Sequence, residues 1–224
     1  MRRVVLSMLL VALVAGCAGT PAGGGSGSGA SPVASALPPG TYTSRAFKPA
    51  VTYTLPEGWQ NPDDLADHLA LIPAGSQVAG IFLFRDPRAM SQDPTCPTKP
   101  EPGVGGLSTE LVAWIRSRPG LVVSDLKMVT VGGLRGVEIE VAIADGWTPS
   151  CPFANGLPAV PLFVGSTGSL RWVVAGSERL RLDILDAPGG GTIVVDVDAF
   201  DGSLFADLVA AAAPIVRSFA FADR

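Results

Sequence analysis

Turn-forming residues cut this chain into segments too short for long helices over most of its length. The 27 glycines and 20 prolines are spread through 224 residues, and strand-length apolar runs lie between them. Val51-Thr52-Tyr53-Thr54-Leu55 alternates and stops at Pro56, a strand entering the turn Pro56-Glu57-Gly58-Trp59. His68 to Ile72 and Val78 to Phe84 read as a hairpin across Pro73-Ala74-Gly75-Ser76. Val122 to Val131 and Leu134 to Ala142 read as two strands joined at Gly132-Gly133. Leu162 to Val164, Ser169 to Ala175, Arg179 to Leu185 and Thr192 to Ala199 continue the series, with Gly189-Gly190-Gly191 turning the last pair. Two segments break the pattern. Ser108 to Arg118 places Leu111, Val112, Trp114 and Ile115 at helical spacing and ends at Pro119-Gly120. Leu204 to Val216 is a second helix, with Asp201 as its cap, and a short strand Ser218 to Phe221 closes the chain. Consecutive hairpins with two helices predict an α+β domain over residues 39–224, a central antiparallel sheet flanked by helices that bury their apolar faces on it. About 185 residues bury roughly 70% of the unfolded surface, enough for a core.

The opening Phe47-x-Pro49-x-Val51-x-Tyr53-x-Leu55-Pro56-x-Gly58-Trp59 and the closing Ile215-Val216-x-Ser218-Phe219-x-Phe221 resemble the ends of PsbP-like domains. They are similar also to actinobacterial cell-envelope lipoproteins of that fold. The resemblance implies an α/β/α sandwich that serves as a binding or assembly module, and it transfers no catalytic residues. The long cysteine-bearing loops depart from a minimal version of the fold.

Residues 1–17, MRRVVLSMLLVALVAGC, have the layout of an export signal. Arg2 and Arg3 precede an apolar run from Val4 to Val14, too short for a ~30 Å bilayer core that needs about 20 helical residues. Val14-Ala15-Gly16-Cys17 resembles the bacterial lipobox, which implies a diacylglyceryl group on Cys17 and cleavage before it. Acyl chains contribute about 0.8 kcal/mol per buried CH₂, so several together anchor a domain stably. Residues 18–38 are almost all Gly, Ser, Ala, Pro and Thr, and such a segment cannot offset its ordering entropy. As a coil it reaches roughly 25 Å. The expected location is extracytoplasmic, tethered to the cell membrane by lipid. Formal net charge is −4, and loss of Arg2 and Arg3 makes it more negative, which argues against nucleic-acid partners.

Cys96 and Cys151 remain after Cys17, each next to a proline. An even pair in an oxidising compartment favours a disulfide, and a loop of about 55 residues gains around 4 kcal/mol from it. Two free thiols or a metal site are the alternatives, but zinc needs about four ligands and the chain has one His and no CxxC.

Candidate chemistry is sparse. His68 is the single histidine, beside Asp67, and no Gly-x-Ser-x-Gly elbow accompanies it; it reads as a surface or edge residue. Asp196-Val197-Asp198-Ala199-Phe200-Asp201-Gly202 partly matches a calcium loop, but alternation puts both first aspartates on a solvated strand face. Gly103-Val104-Gly105-Gly106 lacks the Lys-Ser/Thr of a phosphate loop. Asp183 and Asp186 near Asp196 form a possible acid–base pair, but Arg179 and Arg181 share a face with Asp183 and favour charge pairing. Trp59 and Trp114 read as core, and Trp147, in the Cys151 loop, is the best exposed contact residue; Trp172 is a further pocket candidate. These residues support no catalytic set, no metal site and no cofactor. The expected role is a non-enzymatic binding or assembly module acting on another envelope protein. The alternatives are a carrier of a small apolar or lipid ligand held between sheet and helix, and an envelope hydrolase using His68 or an acidic pair.

Overall fold

The computed structural model describes residues 36–76, 79–168 and 170–222; the signal, Cys17 and the tether through residue 35 lie outside them. In chain order the elements are β1 (Gly40–Thr43), β2 (Val51–Leu55), β3 (Trp59–Asp64), β4 (His68–Pro73), β5 (Ala79–Arg85), β6 (Arg88–Ala89), helix α1 (Ser108–Arg116), β7 (Leu121–Val123), β8 (Lys127–Val131), β9 (Leu134–Ile143), β10 (Ala159–Val164), β11 (Arg171–Ala175), β12 (Arg179–Asp186), β13 (Thr192–Ala199), helix α2 (Phe205–Arg217) and β14 (Ala220–Phe221). The described residues belong to one unit, 33–224. The chain joins it by Leu37, whose N–H donates to the Trp59 carbonyl at 2.7 Å.

Three antiparallel sheets form. The long one has the order β3-β4-β5-β13-β12-β9-β7, and β8 pairs with the same outer edge of β9 as β7. Two small sheets, β1-β2-β14 and β11-β10-β6, lie beside it. Residues 122–131 are therefore two strands rather than one. β7 takes Val141 to Ile143 as its partners and β8 takes Leu134 to Glu138. Between them the Ser124 hydroxyl accepts from the Glu140 N–H at 2.9 Å, bridging the gap in the ladder. Gly132 and Gly133 both have positive φ, 57° and 84°, as the two-residue turn between β8 and β9 requires.

Side-chain alternation gives the long sheet two buried faces. On one, Leu69, Leu83, Val195 and Val197 pack with Ile215 and Leu208 of α2 and with Val51 and Tyr53 of β2. On the other, Phe84, Leu182, Ile184 and Val194 pack with Leu111 and Ile115 of α1 and with Val160 and Leu162 of β10. Each helix thus shares its face with a three-stranded sheet. The fold is α+β, but the layers are more sheet than helix, which corrects the expected single sheet flanked by helices. Helix length explains the difference: nine residues span about 14 Å, whereas the ten residues of β9 extend over roughly 34 Å. Among the described residues no helix is long and apolar enough to cross a membrane.

Candidate functional site

The short helix leaves part of its face of the sheet uncovered, and a groove of about 560 Å³ results. Its floor is Val137 of β9 and Ile184 of β12. One wall is α1, which turns Thr109, Val112, Ala113 and Arg116 toward it at the i, i+3, i+4, i+7 spacing of a single helix face. The opposite wall is Leu126 and Met128, on and just ahead of the edge strand β8. Met128 is 80% exposed and Leu126 43%, so two large apolar side chains stand in water beside an apolar floor. Full burial of such a side chain is worth about 1.5–3 kcal/mol, which a ligand lying here would recover. Sequence reading identified the buried stripe of α1 and missed this second face, because Thr, Ala and Arg carry no apolar signal.

Helix α1 is fixed at both ends. The Glu110 carboxylate accepts from the Leu107 N–H at 3.2 Å, and the Ser108 hydroxyl donates to the Asp186 carboxylate. The helix closes at Ser117, whose hydroxyl donates to the Trp114 carbonyl at 2.7 Å. Gly136, in the floor, has no room for a side chain: a Cβ there meets the Ile184 carbonyl oxygen at 2.1 Å.

Beneath the same face lies a buried group of acids. Asp196 and Asp198 were expected on a solvated strand face, but Asp196 is fully buried and Asp198 nearly so. The reason is that β13 sits between β5 and β12 and is covered on both sides, so every one of its residues is buried. Glu178, one residue ahead of β12, joins them, accepting from the Ala175 N–H at 2.6 Å. Burial first, then the adjoining acid Glu178, drives the Asp196 carboxyl well above the usual range; the Trp172 indole acts in the opposite direction, and Asp183 adds to the rise. Burial, then Asp196 and Glu178, does the same to Asp198. Burial pushes Glu178 up to about 7, against the Ala175 N–H and its contact with Asp198. Among the described residues no three His, Cys, Asp or Glu side chains are placed to hold a metal ion.

The proposed acid pairs do not converge. Asp196 pairs with Leu182 and Asp183 with Val195, so the two aspartates point to opposite faces of the sheet. Asp183 is buried rather than exposed; burial, then Glu138, raises it to about 7, with Arg181 opposing. Arg179 and Arg181 instead bind Glu140, at 3.2 and 2.8 Å. Asp186 is taken by Ser108, and Asp201 accepts from the Ser203 N–H at the 3-10 turn ahead of α2. His68 is also buried, not at the surface: its ring stacks on Phe82, 6.1 Å away, and lies 5.3 Å from Phe84 and 6.3 Å from Trp172. Burial lowers its pKa, against Asp63 and Asp67, and its Nε2 has no partner among the described residues.

Cys96 and Cys151 are bonded, with Cα atoms 5.6 Å apart. The bond ties two loops over the outer side of the β11-β10-β6 sheet, where Met90, Ala159 and Val164 form a small core of their own. Trp147, in the second of these loops, is half-buried against the α1-face core. Its indole N–H donates to the Ala159 carbonyl at 3.2 Å, and its ring fills the space that a side chain at Gly120 would need. It lines a groove of about 310 Å³ together with Arg118 and Pro149. Trp59 and Trp114 are core residues, and Trp172 half-covers the buried acids.

The fold and the groove define a sheet-rich α+β domain with a solvent-open apolar cleft. No family model matches the chain, and no curated protein matches it. Among solved structures it is similar to the solution structure of cyanobacterial PsbP (CyanoP) from Synechocystis sp. PCC 6803, at a TM-score of 0.42 and 10% identity, over 91% of this chain and all of that one.

Proposed function

We propose that the chain is an extracytoplasmic lipoprotein, anchored through Cys17, whose PsbP-like domain binds without catalysing. Its ligand is a small molecule with an apolar body, held in the cleft between α1 and the long sheet. One observation carries this reading: an 80% exposed Met128 stands beside the apolar floor, opposite α1, in a cleft within the usual volume range of ligand sites. Methionine suits such a wall, because its flexible thioether adapts to the shape of what it covers. The acid pair offered by the sequence does not support the hydrolase alternative: Asp183 and Asp196 lie on opposite faces of the sheet, and Asp186 accepts from Ser108.

Gentle extraction of the native lipoprotein followed by native mass spectrometry tests this. A bound mass that Met128→Asp removes supports the cleft as the site. A bare protein that also takes up no long-chain alcohol or acid in titration overturns it. A partner recovered from the envelope and lost on alteration of the Trp147 loop favours the assembly role instead, since Trp147 lines a separate groove.

A further inference from the structure

We infer that the cleft selects an anionic amphiphile and seats its carboxylate or phosphate head at Arg116; this rests on the reading of the cleft as the ligand site. The two ends of the cleft differ in charge balance. At the start of α1, the Ser108 hydroxyl is held by Asp186. Asp186 in turn lies one step beyond the Leu185–Gly136 pair of the β12–β9 ladder, level with Arg135. Asp186 and Arg135 both line that end of the cleft, so one acid and one base are present there. At the other end, Arg116 closes the last turn of α1 and lines the cleft. It is exposed, and no acidic group lies within 4 Å of it among the described residues.

Several other cations of the domain are engaged, although Arg135 at the far end of the cleft has, like Arg116, no ion pair among the described residues. Arg85 binds Asp86, Lys127 binds Glu138, and Arg179 and Arg181 bind Glu140. Arg118 and Arg171 lie over the rings of Trp114 and Phe153. Arg116 has no such contact, and its planar guanidinium presents paired donors that match a carboxylate or phosphate. An apolar tail attached to that head runs along Met128, Val137 and Ile184 toward the balanced end. Net negative charge over the whole chain makes the placement informative, since a non-specific anion site is not expected on an acidic protein.

Equilibrium dialysis of the full-length lipoprotein against palmitate, hexadecyl phosphate and hexadecanol tests the inference. The expected result is that one or both anions bind about tenfold or more tightly than the alcohol, with Arg116→Gln removing that advantage. Arg135→Gln is expected to change either affinity less than threefold. Preference for palmitate over the phosphate identifies a carboxylate head, and the reverse a phosphate head. Equal binding of anion and alcohol, or an unchanged preference in Arg116→Gln, overturns the head-group assignment while leaving the cleft intact. Absence of binding by all three overturns the cleft itself.

Discussion

The two faces of the long sheet are closed by different means. On the α2 face, apolar side chains from the sheet, the helix and the small β1-β2-β14 sheet meet in one continuous core. On the α1 face the core is interrupted. It encloses three carboxyls, it is covered by a sheet that needs an outer layer of its own, and it stops short at the cleft. The first face is held by apolar burial, with one buried acid, Asp183, on it. The second depends on protons, on a covalent bond and, in the reading above, on a ligand.

The largest test of this contrast is pH. A carboxyl whose pKa is raised on folding keeps a proton that the unfolded chain has already released. Its stabilising contribution is complete below about pH 4 and is lost as pH rises through about 7, at about 1.4 kcal/mol per pH unit for each group. Glu178 and Asp183, both near 7, place the loss between those limits. Denaturant unfolding from pH 4 to 8 should show falling stability. Asp196→Asn should flatten that slope more than Asp183→Asn, because the α1 face holds the cluster and the α2 face a single acid. An equal effect of the two variants would remove the distinction.

Replacing both Cys96 and Cys151 by alanine should cost about 4 kcal/mol by the chain-entropy argument. Hydrogen exchange should show β10 and β11 losing protection before β2, since the bond covers their outer side. Simultaneous loss in both small sheets would mean that the faces are not separable. Trimming packed side chains provides the control: Ile139→Val on the α1 face and Ile81→Val on the α2 face should each cost about 0.5–1.5 kcal/mol, read from the denaturation midpoint. Similar values would show that packing quality itself does not differ. Smallest of all, Met128→Asp should shift stability by no more than about 0.5 kcal/mol, because the side chain is exposed, while abolishing ligand uptake.

What the sequence made legible follows the same division between local and distant causes. The hairpin turn at Gly132-Gly133, the alternation of Val51 to Leu55 and the helical spacing of Leu111, Val112, Trp114 and Ile115 are written in neighbouring residues, and each element stands where it was expected. The cysteine pair needed only its count and its surroundings. β1 and β3 escaped notice, because Gly40–Thr43 and Trp59–Asp64 are polar for strands, the latter with Pro62 inside, and owe their extended form to partners elsewhere in the chain. The alternation of Val195 and Val197 with Asp196 and Asp198 pointed to a half-exposed strand. It could not reveal that residues 159–175 return to cover the acidic side. The cleft was hidden for a related reason. It exists because α1 is too short for the surface beneath it, and no local pattern records what a helix fails to reach.

The bond from the Leu37 N–H to the Trp59 carbonyl determines how the domain meets mechanical load. Tension applied ahead of Leu37 passes that bond and enters β1, the outermost strand of the β1-β2-β14 sheet. It acts at the Gly40–Leu55 end of the hairpin, so the rungs of the ladder open in succession instead of sharing the force. In the proposed anchored protein, β1 would therefore peel away first and add its length to the tether, while the long sheet behind it stays intact.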